Sequence, residues 1–265
     1  MENRKVMDAV LAAAGPFLEG KTVRDLVIGV SMIGCQLDDG SVGVSYMPRD
    51  ELPHGCSTFP YAQDVIGAPA VAVAGWMLYG GEILMRAISS AVLSAAAAGQ
   101  DLPDEVAGAA PHGVRMGPGD AVGLVGYIAP LARQIRETGA RLSVFDRGGS
   151  DSGLDDPGTI EPDVRQGDVL PHCDVVFLSG TTTVNGSVDG LLGLCGKARE
   201  IVIVGASTPL FPDGWRGSRV TRLAGSLWRR DRKEEIFRLV SLAAGIQQLR
   251  RYMVKKNATV PPVRA

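Results

Sequence analysis

Four segments of this chain bring together residue types that bind polar ligands. Ser179-Gly180-Thr181-Thr182-Thr183-Val184-Asn185-Gly186 stacks hydroxyls and an amide, a cradle of donors for an anion or a polar ligand edge that holds no strong base. Gly205-Ala206-Ser207-Thr208-Pro209 is similar in kind. Gly126-Tyr127 follows a short apolar run, and Asp146 ends another, 20 residues past Gly126. Dinucleotide-binding folds place at that offset the carboxylate that accepts ribose hydroxyls. Two alternatives stay open: Asp146 can equally open the turn Asp146-Arg147-Gly148-Gly149, and Ser187 can N-cap a helix. The Asn185 amide offers a donor and an acceptor that do not titrate, so Asn185→Ala is expected to impair ligand binding more than folding.

Other chemistries fit less well. Gly123 to Pro130 lacks the G-x-G-x-x-G that lets a helix terminus grip a pyrophosphate, and no G-x-S-x-G elbow is present. His54-Gly55-Cys56 and His172-Cys173 are the close His/Cys pairs, and neither has i, i+4 or knuckle spacing. His54 and Cys56 are the candidate metal ligands, and Cys56 as a nucleophile would need a base within reach. His112 falls in a Pro- and Gly-rich connection, Gly99 to Gly119. The mixed-sign run Arg229 to Glu235 reads as a solvated face. Trp76, Trp215 and Trp228 read as packing residues, with Trp228 placed to wall a planar ligand.

The elements that must position these residues follow from periodicity. Thr22 to Met47 reads as a β-hairpin or meander around Asp38-Asp39-Gly40, and Gly81 to Ala98 as an alanine-rich helix. Downstream, apolar runs at Ala121–Val125, Leu142–Phe145, Val175–Leu178 and Ile201–Val204 alternate with helical segments, one of them closed by Gly139. Such continuous apolar strands belong to a parallel sheet covered on both faces. All four ligand-binding segments then sit at strand exits, where open parallel sheets bind ligands. Leu223-Ala224-Gly225 is expected to close a fifth strand, Lys233 to about Met253 to form the last helix, and the final dozen residues a loose tail.

Composition narrows the partners. The 265 residues carry 27 Lys and Arg against 29 Asp and Glu, net −2, without the basic excess that tracks a phosphate backbone, so nucleic acid is not expected. Apolar residues make up 45%, enough for a sizeable core and against disorder. The low-charge stretch Val65 to Tyr79 is too short to span a bilayer. Met1 to Leu18 fits an amphipathic helix better than a signal peptide. Four scattered cysteines in apolar settings fit reduced thiols. These features together read as a cytoplasmic protein.

The set G-Y-x-x-P-L at Gly126 to Leu131, S-G-T-T-x-V-N-G-S at Ser179 to Ser187, G-x-S-T-P-L at Gly205 to Leu210, and Leu223-Ala224-Gly225 resembles the heavy-metal chelation domain family of unknown function. Asp25 to Gly29 with Gly40 to Val44 is similar to the small domain that precedes it there. The resemblance implies an α/β protein: an α+β enolase-N-terminal-like domain, here 1–110, followed by a Rossmann-like domain, 111–265. It also implies a site between them with a role in metal or chelate chemistry. This chain departs from the family's G-x-A-x-x-N-A signature in the alanine-rich helix, where it has Ser89, Ala91, Ser94 and Ala95.

The expected protein is an interdomain small-molecule binder built on Gly126, Tyr127, Asp146, Thr181, Thr182, Thr183, Asn185, Ser207 and Thr208. Asp146 offers a ribose acceptor, and the missing glycine fingerprint argues against a diphosphate, so a nucleoside-type cofactor such as S-adenosylmethionine is the expected partner of an enzyme. The alternative is a non-catalytic binder of a heavy metal or metal chelate through His54 and Cys56. A homodimer is the expected assembly.

Overall fold

A computed structural model describes residues 5–52, 59–106, 110–147 and 160–263. Helix α1 (Lys5–Leu18) precedes an antiparallel meander of β1 (Val23–Ile28), β2 (Met32–Leu37) and β3 (Val42–Tyr46), which is followed by α2 (Ala70–Tyr79) and α3 (Ile83–Ala96). The meander turns at Gly40, whose φ of +84° is open to glycine without strain. Beyond the connection come β4 (Ala121–Val125), α4 (Ala129–Glu137), β5 (Arg141–Phe145), β6 (Ile160–Glu161), α5 (Gln166–Val169) and β7 (Val175–Ser179). The chain continues through α6 (Thr181–Val184), α7 (Val188–Leu194), β8 (Glu200–Val204), β9 (Arg222–Trp228), α8 (Lys233–Ser241), α9 (Ile246–Leu249) and β10 (Met253–Thr259).

Among the described residues the larger sheet runs β10-β9-β8-β7-β4-β5-β6. Every neighbouring pair in it is parallel except β9 and β10. The order reverses between β4 and β7, the switch point at which open α/β sheets bind ligands. The predicted parallel sheet with a small α+β unit before it is the architecture found. No helix among the described residues is long and apolar enough to cross a membrane.

Two expectations at the carboxy-terminal end fail. The helix that starts at Lys233 stops at Ser241, because Ala243 adopts a left-handed φ of +60° and Gly245 is extended. The supposed tail is β10, paired along its whole length with β9. Its sequence, Met-Val-Lys-Lys-Asn-Ala-Thr, is that of an edge strand with lysines on it, which blunt pairing with other chains.

The small unit is built on close approach. Alanines and serines of α3 lie against β3, and two outward N–H groups of this edge strand are taken up: Val44 N–H donates to Ser94 Oγ (3.3 Å) and Tyr46 N–H to Ser207 Oγ (2.9 Å). The second bond ties the meander to the β8 exit. On the other side α8 covers the meander with Ile236, Phe237 and Val240. One apolar cluster runs from Met7 and Val10 of α1 through Ile88 of α3 to Val176, Ile203 and Trp215. Trp215 is fully buried and its indole N–H donates to the Pro209 carbonyl (3.1 Å), so burying it leaves no orphaned donor. Cys35, Cys173 and Cys195 are buried free thiols, and burial pushes Cys173 and Cys195 up to about 11, making them poor nucleophiles.

Candidate functional site

A cleft of about 1180 Å³ opens over the exits of β4, β5, β7 and β8, with the end of β3 on one side and β10 on the other. Its size exceeds the usual range for one small ligand, leaving room for two. Gly126, with φ of +87°, turns the chain out of β4 and donates its N–H to the Phe145 carbonyl (2.7 Å). Asp146 at the β5 exit then accepts Tyr127 N–H at 2.5 Å. The carboxylate thus bridges two exits.

The hydroxyl run is itself helical. It forms α6, so threonines that the sequence placed in an open cradle bond back to the turn before them. Thr182 Oγ donates to the Ser179 carbonyl and Thr183 Oγ to the Gly180 carbonyl, each at 2.7 Å. Thr183 and Thr208 are buried and do not line the cleft, and the Thr208 hydroxyl donates to the Ala224 carbonyl at 3.2 Å. These two positions hold the loops in shape. Gly126, Tyr127, Asp146, Thr181, Thr182, Asn185 and Ser207 are brought together around the cleft.

Asn185 has a defined job in its loop. Its Oδ1 accepts the backbone N–H (3.1 Å) and the hydroxyl (2.8 Å) of Ser187, an Asx turn. Asn185→Ala should therefore cost about 1–3 kcal/mol of stability as well as affecting the site. Asn185→Asp keeps the oxygen acceptor and removes only the amide donors, so it should retain the wild-type melting temperature. Thermal melts of both variants decide; equal losses would remove the Asx turn from the account.

Two parts of the site were missed by sequence reasoning. Arg147 pairs with Asp163 (2.9 Å) and Glu51 (3.7 Å), linking the β5 exit to the small unit. His112, placed by its Pro- and Gly-rich surroundings in a mere connection, lines the cleft with Nδ1 2.7 Å from Glu105 Oε1. Lys255 Nζ lies 3.1 Å from the other Glu105 oxygen. His112, and after it Lys255, hold the Glu105 carboxyl down at about 2 against the opposing effect of burial. No local motif signals this group, because its members come from two distant segments. Its trace in the sequence is a histidine followed by glycine, a pair suited to consecutive left-handed conformations, here φ +48° and +75°.

The residues of the cleft do not fit a metal centre. Several of its carboxylates already have basic partners: Arg147 for Asp163 and Glu51, Lys256 for Asp104 and Lys255 for Glu105. No group of three or more His, Cys, Asp or Glu suited to a metal occurs among the described residues. His54 and Cys56 lie outside them. His172 and Cys173 are at the start of β7, where the cleft does not reach.

Comparison with known proteins bears on what this cleft belongs to. The chain matches 29% identically over 106 residues of an uncharacterized protein of Methanocaldococcus jannaschii, which is 40% of this chain and 39% of that protein's length. A crystal structure of a DUF364-family protein of unknown function from Pyrococcus horikoshii superposes with a TM-score of 0.79 at 19% identity, over 96% of this chain and 100% of that one. One from Desulfitobacterium hafniense superposes at 0.72 and 21% identity, over 96% and 97%. Both likenesses are likenesses of fold. Residues 11–97 match the family DUF4213, described as "putative heavy-metal chelation". Residues 109–259, which carry all four exits and the His112 wall, match DUF364 under the same description, and to that family the chain belongs.

Proposed function

We propose that the cleft is the site of an enzyme that uses a nucleoside-type cofactor, S-adenosylmethionine being the best fit to its donors and acceptors. The observation that carries this reading is Asp146, a carboxylate at the β5 exit bonded across to the Gly126-Tyr127 turn and lining the cleft. That is the place and the chemistry for a ribose hydroxyl pair. The β4 exit offers one turn glycine and no further glycine for close approach of a pyrophosphate, which favours a cofactor without a diphosphate. Gly205, with φ of +115° and open space where a side chain would stand, leaves bare backbone at the β8 exit for a flat group to approach. The cofactor, when bound, would supply an electrophilic carbon, while Asp146 and the exits hold it in place.

Titration calorimetry with S-adenosylmethionine and S-adenosylhomocysteine tests this. Asp146→Ala should weaken binding at least about tenfold, the loss expected of charge-assisted hydrogen bonds. Asp146→Asn retains an acceptor for Tyr127 N–H and should fold normally while still binding more weakly. Equal binding by wild type and Asp146→Ala, or none by either, overturns the reading.

The family's description favours a second reading, binding of a heavy metal or metal chelate without catalysis, which would fall on His54 and Cys56. Metal analysis of protein purified without a metal-affinity tag separates the two. Stoichiometric metal that disappears in a His54→Ala, Cys56→Ala variant would establish it.

A further inference from the structure

We infer that His112, held by Glu105, is the proton acceptor of the cleft, so that the second ligand presents an ionisable O–H, N–H or S–H group at that wall. The inference rests on the reading of the cleft as a ligand site. Neither the family's description nor the hydroxyl-rich exits provide a base, and α6 uses its threonines on itself. His112 supplies what they lack.

Three observations place it. First, Glu105 approaches Nδ1 and not Nε2, and both side chains are largely enclosed, at 14% and 19% exposure. A carboxylate against Nδ1 keeps the proton of the neutral ring there and leaves the Nε2 lone pair as the acceptor. Second, the His112 ring lines the cleft. Third, the ring is fixed: it packs on Phe177 of β7 with centroids 6.2 Å apart, and its backbone sits at φ +48°. A left-handed conformation at a residue other than glycine marks a position over-determined by its surroundings.

The neighbours complete the charge balance. Lys255 from β10 faces the second Glu105 oxygen, and Arg222 and Asn257 from β9 and β10 stand beside the following residue, Gly113. Arg222 is itself close to Glu200 (3.5 Å). In the step assigned here, the ligand's heteroatom–hydrogen bond breaks with its electron pair kept by the heteroatom. The proton goes to Nε2, and the imidazolium formed is stabilised by the Glu105 carboxylate, 2.7 Å from Nδ1. The heteroatom becomes a nucleophile. Asp146 on β5 and the His112 ring over β7 are separated by two strand spacings, roughly 10 Å across the sheet. That span suits a cofactor at one side and the group it acts on at the other.

Glu105 is a positioning residue, and the test reads the position of a proton. In ¹⁵N spectra of the full chain with labelled histidine, assigned by His112→Gln, neutral His112 should show a protonated Nδ1 and a bare, pyridine-like Nε2. Diethyl pyrocarbonate should acylate His112 at Nε2. Glu105→Gln should erase the Nδ1–H preference and lower Nε2 acylation severalfold, and Glu105→Asp should restore part of both. A wild-type proton on Nε2, or an Nε2 inert to the reagent in folded protein, overturns the inference. Should Glu105→Gln fail to fold, the wild-type spectrum still decides. None of these measurements uses an adenosyl compound, so failure of the calorimetry and failure of the tautomer assignment are separate results.

Discussion

Gly180→Ala is expected to destabilise the protein by about 3 kcal/mol or more, at the upper end of what overpacking costs, and to abolish ligand binding in the cleft. A β-carbon there would stand 2.5 Å from both the Ser207 carbonyl carbon and the Thr208 nitrogen, and 2.8 Å from the Ser207 oxygen. All three are backbone atoms, so no side chain can swing away. Nor can the exits separate cheaply, because Gly180 N–H donates to the Val204 carbonyl (2.8 Å) and Ser207 Oγ accepts Tyr46 N–H. Gly180 is right-handed, φ −55°, so alanine meets no backbone strain and the effect is steric. Gly205→Ala is the matching control. It adopts φ +115° with nothing within 4 Å of its would-be β-carbon, so alanine there meets no clash and costs only the backbone strain, about 1–3 kcal/mol. Urea denaturation of both variants tests the pair. If Gly180→Ala were as mild as Gly205→Ala, the β7 and β8 exits would not be in rigid contact.

That contact could not be seen in the sequence, although the residues making it could. β4, β5, β7 and β8 were legible because strands buried on both faces must be apolar throughout, which gives unbroken runs bounded by glycine or aspartate. Their order was not legible, and the order sets which exits touch. β10 was misread for the opposite reason: an edge strand with one face toward solvent carries Lys255 and Lys256 and has no apolar run. The threonine run shows how composition misleads about chemistry. Its hydroxyls suggested a cradle, but Thr182 and Thr183 satisfy carbonyls of the preceding turn once the segment is helical, and these bonds use up their hydroxyl donors. The pairing of His112 with Glu105 at the cleft has no sequence signal because the segment holding them follows no period. Irregular segments carry much of a protein's function, and only the fold brings Lys255 of β10 up against Glu105.

The alanine-rich helix was the clearest helical pattern in the sequence, and it sets up the second large effect: Gly43→Ala should cost about 3 kcal/mol or more. A β-carbon on Gly43 of β3 would lie 2.2 Å from the Ala91 carbonyl oxygen and 2.2 Å from the Ala95 nitrogen, inside the helix backbone. Ala91 and Ala95 are already small, and the clash is with their main chain, so no compensating substitution in α3 relieves it. The helix would have to back away from the strand. Doing so would stretch the bonds that register the two, Val44 N–H to Ser94 Oγ (3.3 Å) and Ser45 Oγ–H to the Ala87 carbonyl (2.9 Å). This gives Ser94 a structural duty on the β3 edge. The same displacement would pull Tyr46, three residues along β3, away from Ser207 and widen the cleft. Gly43→Ala should therefore lower the denaturation midpoint and speed amide hydrogen exchange at both Val44 and Tyr46. A stability within about 0.5 kcal/mol of wild type would mean that α3 does not rest on β3 as described. Loss of stability with Tyr46 exchange unchanged would mean that β3 and the β8 exit move independently.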